Sequence, residues 1–355
     1  MGFTSKYNGE QVEALLDIVE QGGVSIKPKY TGHADAEGLR AIGWTDEDIA
    51  YYQEHGINWN EEDDEYHKVT DDNKALYGVL TANNIADYKE RIVYLPKIDT
   101  SGVTDMAEMF KECYSLISTP VLDTRNVTNM VGMFYQCLSL VCIPMLDTSK
   151  VTTMNNMFYY CMNLVSIPQL DTSSVTNMEG MFTYCSSLAF LPLLDTSSVK
   201  NMKSMFYYCY SLVSIPCLNT SKVERMDAMF YYCASLISLP LLDASYAAYL
   251  TQMFRACYSI VAIPLLDARL ATNLNEITKS CYSLTYVNIK NIKKSIDLGY
   301  SSLLSKESLL YLINNEAATS AITITLAPYA YTRLANDADV VAALTNHPNI
   351  SLASA

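Results

Sequence analysis

Histidine is nearly missing from this 355-residue chain. Its four copies, His33, His55, His67 and His347, all fall outside residues 95–289. No His/Cys cluster therefore has zinc-ligand spacing, and no serine or threonine in that stretch has a histidine base to activate it as a nucleophile. Glycine is also scarce, at 13 residues, and none of it forms a phosphate-cradling loop. Lys and Arg total 24 against 38 Asp and Glu, a net charge of −14, so the basic footprint that nucleic acid requires is absent. No apolar run approaches the roughly 20 residues of a membrane-spanning helix, and membrane insertion is not expected. Met1–Lys6 lacks the apolar core of a secretory signal. These absences argue against an enzyme, a cofactor or metal site, and a nucleic-acid partner.

The acidity is local. Residues 1–90 carry 7 basic and 19 acidic side chains, while the remaining 265 residues are almost neutral. Within the acidic part, Val12, Leu15, Leu16 and Val19 follow helical spacing between Asn8 and Gly22-Gly23. Further helices are expected from about Ala34 to Ile42 and from Thr45. The run Glu61–Glu65 reads as a solvated linker, because it lacks the alternating ligands and turn glycine of a calcium loop.

What the chain has in abundance is repetition. Cys113, Cys137, Cys161, Cys185, Cys209, Cys233, Cys257 and Cys281 recur every 24 residues, each inside a phrase such as Met178-x-x-Met181-Phe182-x-x-Cys185-x-Ser187-Leu188-x-x-Leu191-Pro192-x-Leu194-Asp195-Thr196-Ser197. A fixed period in this range marks a solenoid, in which each unit buries its apolar face against the next. One half of the repeat is extended: Leu164–Leu170 carries a central proline, and that proline recurs from Pro120 to Pro264. The other half predicts a short helix, because Met178, Met181, Phe182 and Cys185 sit at i, i+3, i+4 and i+7. The motif then decays, with Asn288 in place of the proline. Ser305 is placed to cap a helix over Lys306–Asn314. Ile322–Leu326 alternates like a strand, Asn336 opens a last helix, and Ile350–Leu352 is a final strand.

Three residue types stand in columns that invite chemistry. The eight cysteines read as a buried ladder of free thiols filling a tight column, with a bridged neighbour pair or a metal site as alternatives. Asp99, Asp123, Asp147, Asp171, Asp195, Asp243 and Asp267 form a carboxylate column, with Asn219 in the same register. Its simpler reading is capping of the following turn rather than a catalytic pair. Tyrosine is in excess at 27 residues. Tyr135, Tyr159, Tyr207 and Tyr231 form one column, and Tyr160, Tyr184, Tyr208 and Tyr232 another. These eight are the candidate binding residues: an aromatic ladder with polar tips suits sugar rings or a protein partner, and packing over neighbouring rungs is the competing role.

The phrase Met-x-x-Met-Phe-x-x-Cys-x-Ser-Leu-x-x-Ile-Pro resembles the BspA-type leucine-rich repeats of bacterial surface proteins, and the Asp-Thr-Ser-x-Val-Thr-x-Met half resembles their aspartate- and threonine-rich variant. The resemblance implies an α/β solenoid with short parallel strands on one face and short helices on the other, and a role in adhesion or partner binding. The opening Gly2–Tyr7 and the ending Leu309–Asn315 resemble virion or tail-associated proteins from phages of gut Bacteroidales. The expected organisation is an acidic helical docking module at 1–76, a lead-in at 77–94, the array at 95–289 and an α/β cap at 290–355. The expected function is non-enzymatic recognition. Residues 1–76 would join other virion or surface-assembly proteins, and the repeats would contact host-surface glycan or protein. A bacterial surface adhesin and an assembly scaffold are the alternatives, and self-association as a homo-oligomer is compatible with each. The expected location is a virion or the bacterial cell surface.

Overall fold

The computed structural model describes the strand His67–Thr70 and residues 98–355. The helices expected between Gly9 and the Thr45 segment, the Glu61–Glu65 linker and the docking role of 1–76 lie outside the described residues. Strand β1 (His67–Thr70) pairs with β2 (Ile98–Gly102). From there the chain forms a stack of 24-residue rungs. Parallel bridges join Asp105, Asn129, Thr153, Asn177, Asn201, Arg225 and Tyr249 in succession, so residues 24 apart stand on one another.

Each rung closes around the same buried set. In one rung these are Leu164, Ile167, Leu170, Thr172, Val175, Met178, Met181, Phe182 and Cys185, all shielded from solvent. The phenylalanines stack face to face from Phe110 to Phe254, with ring centroids 5.4 to 5.8 Å apart. Each stacked pair adds about 0.5–1.5 kcal/mol beyond area burial. Buried Thr172 donates its Oγ1 to the Asp195 carbonyl at 2.8 Å, as Thr100, Thr148 and Thr196 do one rung onward. That satisfies a hydroxyl which would otherwise be costly to bury.

The short helices expected on the second face do not form in the repeats; consecutive turns replace them. Met181, Thr183 and Cys185 donate to the carbonyls three residues back, and Met178, Gly180, Phe182 and Tyr184 donate to Asn201, Lys203, Met205 and Tyr207 of the next rung. An α-helix would spend every amide within the segment, at i→i−4. Here alternate amides hold the next rung instead. The i, i+3, i+4, i+7 spacing suits both arrangements, which is why periodicity pointed to a helix. The turns require positive φ at two places per rung. One column runs Glu108, Gly132, Asn156, Gly180, Ser204, Ala228, Gln252 and Glu276; the other runs from Glu112 through Tyr160, Tyr184, Tyr208 and Tyr232 to Ser280.

The extended half also differs from expectation. Leu164–Leu170 is not a laddered strand, because Pro168 has no N–H to donate. Inter-rung bonds fall on either side of it, from Val165 N–H to the Val141 carbonyl and from Thr176 N–H to the Thr152 carbonyl. After the β1–β2 pair, the next strand pair among the described residues comes at the end of the array: β3 (Ala262–Asp267) runs parallel to β4 (Tyr286–Lys290), with a register shift beside Pro264. There Asn288 stands where earlier rungs have proline and restores a donor.

The cap is α/β. Strands β5 (Ile296–Leu298), β6 (Ile322–Leu326) and β7 (Ile350–Ser354) form a parallel sheet in that order. Helix α1 (Lys306–Asn314) begins at Ser305, whose hydroxyl accepts from Ser308 N–H, and buries Leu309, Leu312 and Ile313. Helix α2 (Pro328–Leu334) was not apparent in the sequence; Pro328 opens it without a side-chain cap. Helix α3 (Ala338–Asn346) is capped by Asp337, not Asn336, because only the Asp337 carboxylate accepts from the Asp339 and Val340 amides. No described helix is long and apolar enough to cross a membrane.

Candidate interaction surfaces of the array

The turn half of each rung sets the tyrosines. Met181, Phe182 and Cys185 point into the core, so Tyr184 between them emerges at the surface, half-buried, as do the tyrosines at the two positions between Phe and Cys in the neighbouring rungs, while Thr183 is buried. The second of these positions holds positive φ, which aims Tyr160, Tyr184, Tyr208 and Tyr232 along one line. Their rings stack at 4.1, 4.5 and 4.7 Å. In the other column Tyr135 stacks on Tyr159 and Tyr207 on Tyr231, both at 4.6 Å, with Thr183 between the pairs. Cations close both ends of this column: Lys111 lies 5.5 Å from the Tyr135 ring centre and Arg255 lies 5.3 Å from that of Tyr231.

The stacking decides what the tyrosines offer. Their faces are spent on one another, so the surface is a double row of ring edges and phenol oxygens, not the open apolar faces expected from the sequence. Burial raises the phenol pKa of Tyr159, Tyr184, Tyr207 and Tyr208, that of Tyr207 to about 12. At neutral pH Tyr159, Tyr184, Tyr207 and Tyr208 are uncharged donors and acceptors.

The cysteine column lies wholly inside. Each thiol from Cys137 to Cys281 donates to the carbonyl of the phenylalanine 27 residues earlier, at 3.0–3.1 Å. Burial pushes these thiols up, Cys281 to about 12, so they remain neutral and unreactive. All ten cysteines are free, and only Cys217 is exposed. Among the described residues no group of three or more His, Cys, Asp and Glu side chains could hold a metal ion.

The Asp column caps turns. Ser173 donates both its N–H and its hydroxyl to Oδ1 of Asp171, at 3.0 and 2.7 Å, and these bonds hold the carboxyl below its ordinary pKa. A second capping column escaped the sequence reading. The side chains of Asn129, Asn177 and Asn201 accept from the N–H two residues on, at the bridge positions themselves.

A further face also went unnoticed. The segments 117–121, 141–145, 165–169, 189–193, 213–217, 237–241 and 261–265 contain no charged residue. Val121, Met145, Leu193 and Leu241, each next to the repeated proline, are 60–73% exposed, and Phe190 is 66% exposed. Reading the sequence by column rather than by window would have found it.

The repeats match the family described as "Mycoplasma protein of unknown function, DUF285" over residues 81–188, 141–242 and 163–265, which together span more than half of the chain. The chain belongs to the DUF285 family. No curated protein matches it. Among solved structures, a Treponema pallidum leucine-rich-repeat protein is similar, at 25% identity over 48% of this chain and 78% of its own, with a TM-score of 0.39. The plant peptide hormone receptor RGFR1, solved with RGF2, aligns at 12% identity over 70% of this chain and 46% of its own, with a TM-score of 0.26. The stacked 24-residue rungs are thus the DUF285 repeats.

Proposed function

We propose that this DUF285 protein is a non-enzymatic recognition protein that holds a protein partner on its repeat array. The observation that carries this reading is the double tyrosine row. Eight half-buried phenols present edges and hydroxyls, and such rigid amphipathic groups supply contact area at low entropic cost. Because the ring faces are covered, a sugar has no platform to stack upon, and protein is favoured over glycan. Residues 1–76 would dock the protein onto a larger assembly. The bacterial family match supports a surface adhesin. A virion position rests only on the opening Gly2–Tyr7 and the ending Leu309–Asn315, and an assembly scaffold remains the third reading.

The test is a photo-crosslinking residue placed at Tyr160 or at Tyr208 of the full chain, expressed in cells of its source. A discrete protein adduct at both positions, absent when the same residue replaces core Phe182, is the expected result. Adducts sensitive only to glycosidases, or none at all, would refute protein recognition through the tyrosines. Immunogold labelling then separates cell surface, virion and interior.

A further inference from the structure

The uncharged face and the Asp column meet in one groove. It has a volume of about 570 Å³ and is lined by Gln169, Leu170, Leu193, Leu194 and Cys217 together with Asp171, Asp195 and Asn219. We propose that this groove docks a basic, apolar-flanked segment of a protein partner. The inference rests on the partner-binding reading above and names both the face and the chemistry.

Charge complementarity selects the occupant. On either side of the middle of the Asp column, carboxylates already have cations: Arg125 pairs with Asp123 at 2.7 Å, and Arg269 and Lys290 pair with Asp267. Asp147 has Lys150 and Arg125 within electrostatic reach. Asp171 and Asp195 have no ion pair among the described residues, and Asp171 is influenced by the like charges of Asp195 and Asp147. Both bonds to Asp171 go to Oδ1, leaving Oδ2 without a donor among the described residues. The groove therefore lies where the column lacks cations. The adjoining wall is apolar and bare, with Leu193 61% exposed. Gln169 already donates Nε2 to the Leu193 carbonyl at 2.6 Å, which keeps that wall from demanding a donor of its own.

The other occupants fit less well. A second copy of this face carries no cation and would leave both carboxylates unpaired. An anionic membrane or nucleic acid would meet the two carboxylates with like charge. A basic side chain between Asp171 and Asp195, flanked by apolar groups on Leu193 and Cys217, answers both features at once.

The experiment is fluorescence anisotropy of the full chain with three labelled nonapeptides, alternating lysine with leucine, glutamate with leucine, and lysine with serine. Lysine–leucine binding above the other two is expected. Asp→Asn is structurally gentle here, because Asn219 occupies the same column and its Oδ1 accepts from the Ser221 N–H and hydroxyl at 3.2 and 2.7 Å. D171N/D195N should weaken the lysine–leucine peptide roughly fivefold to tenfold, with a reduced salt dependence. L193S, at an exposed position, should weaken it without unfolding the chain. Equal binding of the glutamate peptide, no binding of any peptide, indifference to D171N/D195N, preference for anionic vesicles, or dimerisation that L193S abolishes would each overturn the proposal. Tyrosine adducts that persist in D171N/D195N would leave the broader reading standing without this groove, whereas a chain without adducts at either tyrosine loses both.

Discussion

Replacing the central ring of the phenylalanine stack tests the architecture most directly. Phe182 lies 5.6 Å from Phe158 and 5.7 Å from Phe206, so it has a ring on each side. Phe254 has only Phe230, at 5.8 Å, because Thr278 occupies the next rung's position. Both rings are fully buried. Phe→Leu keeps the side chain apolar while removing the ring–ring terms, each worth about 0.5–1.5 kcal/mol. The shape change costs a further amount of about 1 kcal/mol at either site. Phe182→Leu should therefore lose about 2–4 kcal/mol and Phe254→Leu about 1.5–2.5 kcal/mol, a difference of one ring pair. Urea unfolding at unchanged slope measures the totals. Hydrogen exchange read rung by rung locates the loss, since in a linear array it should fall on the altered rung and its neighbours. A difference of about 1 kcal/mol corresponds to a roughly fivefold rise in opening. Equal costs at the two positions, or a greater cost at Phe254, would refute the claim that stacked neighbours share the burial of each rung.

Other consequences follow from the same geometry. A thiol reagent should modify Cys217 rapidly in the native protein and reach all ten cysteines after unfolding without reductant; a shortfall would reveal bridges in place of the free ladder. Gly180→Ala should destabilise by about 1–2 kcal/mol, because φ is +63° and the new Cβ meets Asn156 Oδ1, whereas Ser204→Gly, at φ 53°, should be neutral or stabilise by about 0.5 kcal/mol; thermal melts showing the opposite order would count against the turn geometry. Tyr159, Tyr184, Tyr207 and Tyr208 predict alkaline unfolding. Their folded pKa values are raised, that of Tyr207 to about 12, so the unfolded chain releases these protons first and stability is lost as pH climbs from about 10 through 12. Phenolate absorbance and circular dichroism should change together over that window, and a Tyr207→Ser/Tyr208→Ser variant that unfolds at an unaltered pH would contradict the assignment.

The 24-residue period, the inward columns of Met, Phe and Cys, the decay into a cap and the capping role of Asp-Thr-Ser could all be read from residue identities, because each depends only on which side chains recur at which register. The helix over Met178–Cys185 was misread because turns and helices share the spacing i, i+3, i+4, i+7. What separates them is the destination of the amides, and that depends on a neighbouring rung 24 residues away. The strand over Leu164–Leu170 was overdrawn for a related reason: Pro168 announced the missing donor, but only the stacked chain shows that Val165 and Thr176 carry the bonds on either side. Tyrosine positions were plain in the sequence, yet whether their rings face solvent or each other is set by positive φ at Tyr160, Tyr184, Tyr208 and Tyr232 and by rung spacing. The Asp column was visible as a pattern, while the contrast between its bare middle and the paired carboxylates on either side arises only when Arg125, Arg269 and Lys290 are brought to particular carboxylates. Composition and period thus determine that the chain stacks and what it buries. The bonding between rungs determines which groups are left over for a partner, since a side chain's free valence depends on neighbours that are distant along the chain.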